Sequence, residues 1–166
     1  RLQRCKRMNL GTSSVSIISD GTVMRDGGSL FGQIPKSQWE LHVKPDRRNR
    51  IRLGLNCLLI KTPKTNILVD TGAGSKRADQ LKENYGLNGN KLLKGLRAHG
   101  LTARDIHIVI QTHLHFDHGG GCTKLDRTGN AIPTFPKAVY MVQRECWKQA
   151  NSPNERNSGA FHGDDF

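Results

Sequence analysis

Aromatic residues are scarce in this sequence, with two Trp, two Tyr and five Phe among 166 residues. So few flat side chains, with no basic stripe threaded between them, weigh against a surface built to stack nucleobases. Long hydrophobic runs are missing too, and nothing approaches the roughly 18 apolar residues of a membrane span. The stretch Arg1-Leu-Gln-Arg-Cys-Lys-Arg7 lacks the apolar core of a signal peptide. The cytoplasm is therefore the expected compartment, with a leader upstream of Arg1 left open. No Cys-x-x-Cys pair occurs, so Cys5, Cys57, Cys122 and Cys146 are expected as reduced thiols rather than as a structural zinc site or redox dithiol. Acidic residues are few, 14 against 26 Lys and Arg, which leaves a formal net charge of +12. Such a charge steers anions toward the surface. Apart from residues 1–7 and Lys44 to Arg52 the cations are dispersed, and a solvated surface is the better reading than a nucleic-acid footprint.

What is present fits one globular unit by length, although 35% hydrophobic residues and 18 glycines make a lean core and many turns. Val15-Ser-Ile-Ile18 predicts a first strand, and Asp26-Gly27-Gly28 a loop. Phe31 to Trp39 reads as a loop with one helical turn, either a packed surface loop or a lid beside a substrate. Leu53 to Ile60 and Asn66 to Asp70 predict a hairpin turning at Thr62-Pro63-Lys64, after which Asp70-Thr-Gly-Ala-Gly74 leaves a carboxylate at a strand end. Leu92, Leu93 and Leu96 give Asn88 to His99 a helical stripe closed by Gly100. Thr102 reads as a helix cap, and Ile106 to Gln111 as a buried strand. His99 and His107 are assigned structural roles, the latter within the sheet. Ala138 to Val142 predicts a last strand and Gln143 to about Ala150 a helix, so the pattern is α/β.

The chemistry is concentrated in His113-Leu-His115-Phe-Asp117-His118. Imidazole nitrogens and carboxylate oxygens are the donors that hold zinc and similar ions. A shuffle of this composition yields the pattern His-x-His-x-Asp-His with a probability of roughly 0.0007, which makes coincidence a poor explanation. The run follows an apolar strand and precedes Gly119-Gly-Gly121, where side chains converge above a sheet edge. On extended chain His113 and His115 would face one ion, with Asp117 and His118 turned toward a second. Two ions sharing a water would lower its pKa and supply hydroxide near neutral pH. Cys122, four residues past His118, is a minor candidate for metal contact.

His113-x-His115-x-Asp117-His118, behind a strand ending Asp70-Thr-Gly72, resembles the metallo-β-lactamase superfamily. The pieces Asp26-Gly-Gly-Ser-Leu-Phe-Gly-Gln-Ile-Pro-Lys36, Trp39, Leu58-Leu-Ile60 and Asn66 to Gly72 are similar to the branch of N-acyl homoserine lactone lactonases and methyl parathion hydrolase-like enzymes. The resemblance implies the N-terminal half of an αββα sandwich, as one domain over residues 1–166 that is cut short at its C-terminus. It implies two zinc ions, the first on His113 and His115 and the second on Asp117 and His118, with Asp70 a partner behind the ligands that braces their loop. Asp117 would also assist catalysis. The family's remaining ligands are expected beyond Phe166, and His162 arrives too early to be one of them. The function so implied is metal-dependent hydrolysis of a small-molecule lactone or other ester by a metal-held hydroxide. Phosphotriester or phosphodiester hydrolysis on the same fold is the alternative within enzymes, and a non-catalytic scaffold binding nucleic acid the alternative outside them.

Overall fold

The computed structural model describes residues 7–166, so Cys5 and most of the basic stretch 1–7 lie outside the described residues. Eight strands and six helices follow one another in the order β1 (Met8–Leu10), β2 (Ser13–Asp26), α1 (Gly27–Phe31), α2 (Lys36–Trp39), β3 (Arg50–Lys61), β4 (Asn66–Val69), α3 (Ala78–Tyr85), α4 (Leu92–Ala98), β5 (Ile108–Gln111), α5 (Phe116–Gly119), β6 (Thr123–Leu125), β7 (Ala131–Pro133), β8 (Val139–Val142) and α6 (Arg144–Asn151). Six strands form one sheet in the order β1-β2-β3-β4-β5-β8, while β6 and β7 make a separate hairpin. The first four pair antiparallel, and β4, β5 and β8 run parallel. Parallel neighbours need a crossover, which α3 and α4 provide between β4 and β5.

Alternation along β3 sends Ile51, Leu55, Cys57 and Leu59 to one face, where they are buried. Leu68, Val109, Leu92, Leu96 and Phe135 join Cys57 and Leu59 in one cluster beneath α4. A second cluster of Val23, Leu55, Ala73, Leu81, Leu87 and Phe116 lies beneath α3 and carries α5 on the same core. Helix α4 begins at Leu92, later than the apolar spacing suggests. Asn88 exchanges backbone bonds with Thr22, and the Lys91 and Leu92 amides are taken by Asp20. Strand β2 runs well past Ile18 as far as Asp26, with a bulge between Ser19 and Gly21. Strand β5 starts at Ile108 because His107 already serves the edge, its Nδ1 accepting the Asn66 N–H at 3.0 Å. The Thr102 cap is present as a capping box with Asp105 on a short 3₁₀ turn. Trp39 is buried, stacks on Phe31 at 4.9 Å and sits against Gly27, so the 27–39 segment is a packed element anchored to the body.

Candidate metal centre

Strands β4 and β5 deliver Asp70 and His113 to the same end of the sheet, outside the carboxyl ends of parallel strands where open α/β sheets place their ligands. The chain leaves β5 through Thr112 to His113, and α5 turns Asp117 and His118 back toward it. One donor atom from each of His113, Asp117 and His118 falls in a group spanning at most 4.8 Å. The His113 and His118 rings lie 4.1 Å apart. His115, the residue capping α5, stands outside that tight group, with its ring edge-on to His113 at 4.6 Å and to Phe161 at 4.8 Å. His162 lies 6.0 Å from Phe116 and is not in the donor group. The Cys122 thiol is likewise apart from it. It is buried against the Thr71 hydroxyl at 3.6 Å, and burial pushes it up to about 12.

Asp70 sits behind the cluster. Its backbone is left-handed, with φ 58°, an uncommon state for a non-glycine residue and one held in place by its neighbours. The Asp70 N–H donates to Ile110 O, while its carboxylate accepts from the Thr112 N–H at 2.8 Å and from the Thr112 hydroxyl. It also meets His118 Nδ1 at 2.8 Å. Burial pushes the Asp70 carboxyl up, but the bonds from His118 and Thr112 outweigh that and hold it below its ordinary value. A carboxylate at Nδ1 fixes the tautomer, so Nε2 of His118 keeps its lone pair on the side of Asp117, 3.8 Å away. The Thr112 hydroxyl, while donating to Asp70, lies 3.1 Å from His113 Nδ1 and accepts from it. One carboxylate therefore orients two imidazoles, one directly and one through a hydroxyl.

The shifts of His113 and His115 suit the same role. Burial lowers His113, with the His118 and His115 charges acting in the same direction. Burial also lowers His115; Asp117 opposes the shift, and the charges of His118 and Arg25 add to it. In both, the lowering favours the neutral ring, the form that has a lone pair to donate. His118 is raised by its bond to Asp70.

Two loops lock the arrangement. The Thr71 N–H and hydroxyl both donate to His118 O, at 2.8 and 2.9 Å, and the Gly121 N–H donates to Gly72 O. A Cβ at Gly121 would lie 2.2 Å from Thr71 O, so only glycine permits the approach. Asp20, buried at the β2 bulge, accepts the N–H groups of Ala73, Gly74, Lys91 and Leu92 and clamps the 70–74 loop to the start of α4. Neither Thr112 nor Asp20 was among the residues the sequence marked out.

A neutral-imidazole and carboxylate donor set with one histidine braced by a carboxylate fits a borderline divalent ion such as zinc. The model of the metallo-beta-lactamase superfamily matches residues 50–157. The N-acyl homoserine lactonase AttM of Azorhizobium caulinodans is 27% identical over 118 residues, 65% of this chain and 41% of that protein. A probable metal-dependent hydrolase from Staphylococcus aureus superposes with a TM-score of 0.86 at 32% identity, over 95% of this chain and 56% of its own. AidC, a dizinc quorum-quenching lactonase, superposes with a TM-score of 0.73 at 26% identity, over 92% of this chain and 49% of its own. The chain thus spans about half the length of the relatives it matches. Among the described residues no helix is long and apolar enough to cross a membrane. From β3 to α6 the sequence fits the family's model, and the six-stranded sheet superposes on solved structures of that fold: the chain belongs to the metallo-β-lactamase superfamily.

Proposed function

We propose that this chain carries a ligand run of a metal-dependent hydrolase that opens a lactone or cleaves another ester. The observation that carries this reading is the convergence of the His113, Asp117 and His118 donors within 4.8 Å, backed by Asp70. We assign metal ligation to His113, His115, Asp117 and His118, with zinc as the metal, and orientation of the ligands to Asp70. Bound there, divalent ions would polarise the scissile carbonyl and acidify a coordinated water. To Asp117, partly exposed beside His118 Nε2, we assign the holding of a proton from the attacking water and its return to the leaving alkoxide. Four side chains cannot fill two coordination spheres, so turnover requires further donors. The lactonase names of AttM and AidC support the choice of lactone over other esters.

The test is zinc content together with a panel of lactones, thioesters, β-lactams and phosphotriesters, measured on the intact natural protein. The expected outcome is zinc uptake and a lactone or ester preference, with His115→Ala abolishing both metal retention and turnover. Unchanged zinc content in the variant would overturn the ligand assignment, and selective phosphotriester turnover would overturn the substrate assignment.

A further inference from the structure

A cleft of about 330 Å³ opens between the end of β2, α1, the loop before β3 and the last turn of α3. It brings together Arg25, Arg48 and Arg50, with Met24, Ser29, Asn84 and Tyr85 also on its walls. The three arginines differ in what they are doing. Arg50 is committed, its Nε and Nη2 donating to Asp46 Oδ2 at 3.0 and 2.9 Å. Asp46 also receives the Arg48 and Arg50 amides, leaving it little capacity for a further cation. Asp26 lines the cleft as well, but it is engaged by the Ser29 N–H at 2.8 Å and by Asn49 Nδ2 at 3.2 Å. Among the described residues no carboxylate pairs with the guanidinium of Arg25 or of Arg48. Residues 1–6 contain no acidic side chain that could do so.

Among the described residues the Arg25 guanidinium is held by an aromatic ring and not by a carboxylate. Its guanidinium carbon lies over the Tyr85 ring, 5.4 Å from the ring centre, a cation–π contact that uses none of its N–H donors. Tyr85 stacks in turn on Phe116 at 5.1 Å, and Phe116 lies between His115 and Asp117. The cleft is therefore one aromatic pair removed from the ligand run. Two planar forks without acidic partners, one pre-oriented beside an aromatic wall, match the bidentate geometry of a carboxylate. The space suits a small organic body rather than a bare ion.

We propose that this cleft is an anion subsite, in which Arg25 and Arg48 take a non-reacting carboxylate of the substrate, so that the preferred substrates are acidic esters or lactones. The substrate class rests on the hydrolase reading above; the anion site does not. Calorimetric titration of the zinc-free intact natural protein with monomethyl glutarate and with dimethyl glutarate tests it without turnover. The monoanion should bind at least about tenfold more tightly than the diester, and Arg25→Gln and Arg48→Gln should each remove most of that difference. Arg25→Lys, which keeps charge without the fork, should fall between, and added salt should weaken only the monoanion. If Arg25→Gln unfolds through loss of the Tyr85 stack, Arg48→Gln on its exposed loop carries the test alone. Equal binding of the two esters, or monoanion binding unchanged in Arg48→Gln, overturns the subsite. Monoanion binding by an intact natural protein that takes up no zinc overturns the hydrolase reading and leaves the subsite standing; zinc uptake with neutral-ester turnover but no anion binding does the reverse.

Discussion

Thr112 is a small residue with an outsized position. Its hydroxyl can donate one proton, which goes to Asp70, and so it accepts from His113 Nδ1 and leaves the far nitrogen of that ring free. Removing the hydroxyl but keeping the shape isolates this role. Thr112→Val should weaken zinc affinity by about 10- to 100-fold, the scale found when partners behind metal ligands are lost. Thr112→Ser should restore most of it. Competition against a chromophoric chelator measures this, and unaltered affinity in Thr112→Val would show that His113 needs no such partner. The run proposed as ligands stood out because three histidines and an aspartate within six positions are hard to obtain by chance, and the fold gathers His113, Asp117 and His118 of it. Thr112 was not, since a threonine before a histidine carries no compositional signal. Asp20 was hidden for a different reason. Its four amide donors come from residues more than fifty positions away, and no local pattern announces a bond made only by the tertiary fold.

Elements show the same division between periodic and contextual information. Strands β3, β4, β5 and β8 and helix α4 were readable from apolar alternation or a leucine stripe. Helix α3 was not, because Leu81 is its one buried residue and five of its eight positions are polar or charged. Apolar patterning carries β2 only as far as Ile18, since Asp20 and Gly21 look like a turn; in the fold they form a bulge instead. Gly95 of α4 shows where packing overrides propensity. Alanine there would gain about 1 kcal/mol of helix propensity, but its Cβ would lie 2.3 Å from Ile18 Cγ2. Ile18 is buried and branched at its β-carbon, so the clash forces strand and helix apart at a cost of about 1–3 kcal/mol. Gly95→Ala should therefore leave stability unchanged or lower it by up to about 2 kcal/mol in urea unfolding, the difference of those two terms. A clear gain would mean that the contact yields. Turn and cap aspartates set the acid response. Asp26 is lowered by the Ser29 amide, Asp46 by the Arg50 amide, Asp105 by the Thr102 hydroxyl and Asp126 by the Thr128 hydroxyl, all from an ordinary value of 3.8. A lowered folded value means that the unfolded chain binds protons first. The contribution is complete above 3.8 and fades as pH falls through the folded values. Melting curves of wild type and Asp105→Asn should accordingly converge below about pH 4 and differ most near neutrality; a constant gap would exclude the cap as its source.

On the scale of the molecule, the two faces of the main sheet are treated differently. Register places Ile17, Leu58, Val69, Ile110 and Met141 in one row across five strands, and Val15, Ile60, Ile67, Ile108 and Val139 in the next. Both rows point away from the helix-covered cores, and Ile17 is 46% exposed, Met141 52% and Val139 64%. A contiguous apolar surface of this kind favours association, and among the described residues β8 lies at the edge of the sheet. Opposing it is the net charge of +12, whose repulsion between copies extends over about 10 Å at 0.1 M salt and shrinks to about 3 Å at 1 M. The two terms respond oppositely to salt, because burial of apolar surface is not weakened by ions that screen charge. Raising sodium chloride from about 0.05 M to about 0.5 M should therefore increase the weight-average mass in sedimentation equilibrium. Ile110→Lys combined with Met141→Lys places two charges at the β8 end of the exposed row, and that variant should remain monomeric across the same range. Equal association of the variant and wild type would mean that the copies meet elsewhere. A wild-type chain that stays monomeric at high salt would show that the bare sheet face is too weakly apolar to bind a second copy even when charge repulsion is gone.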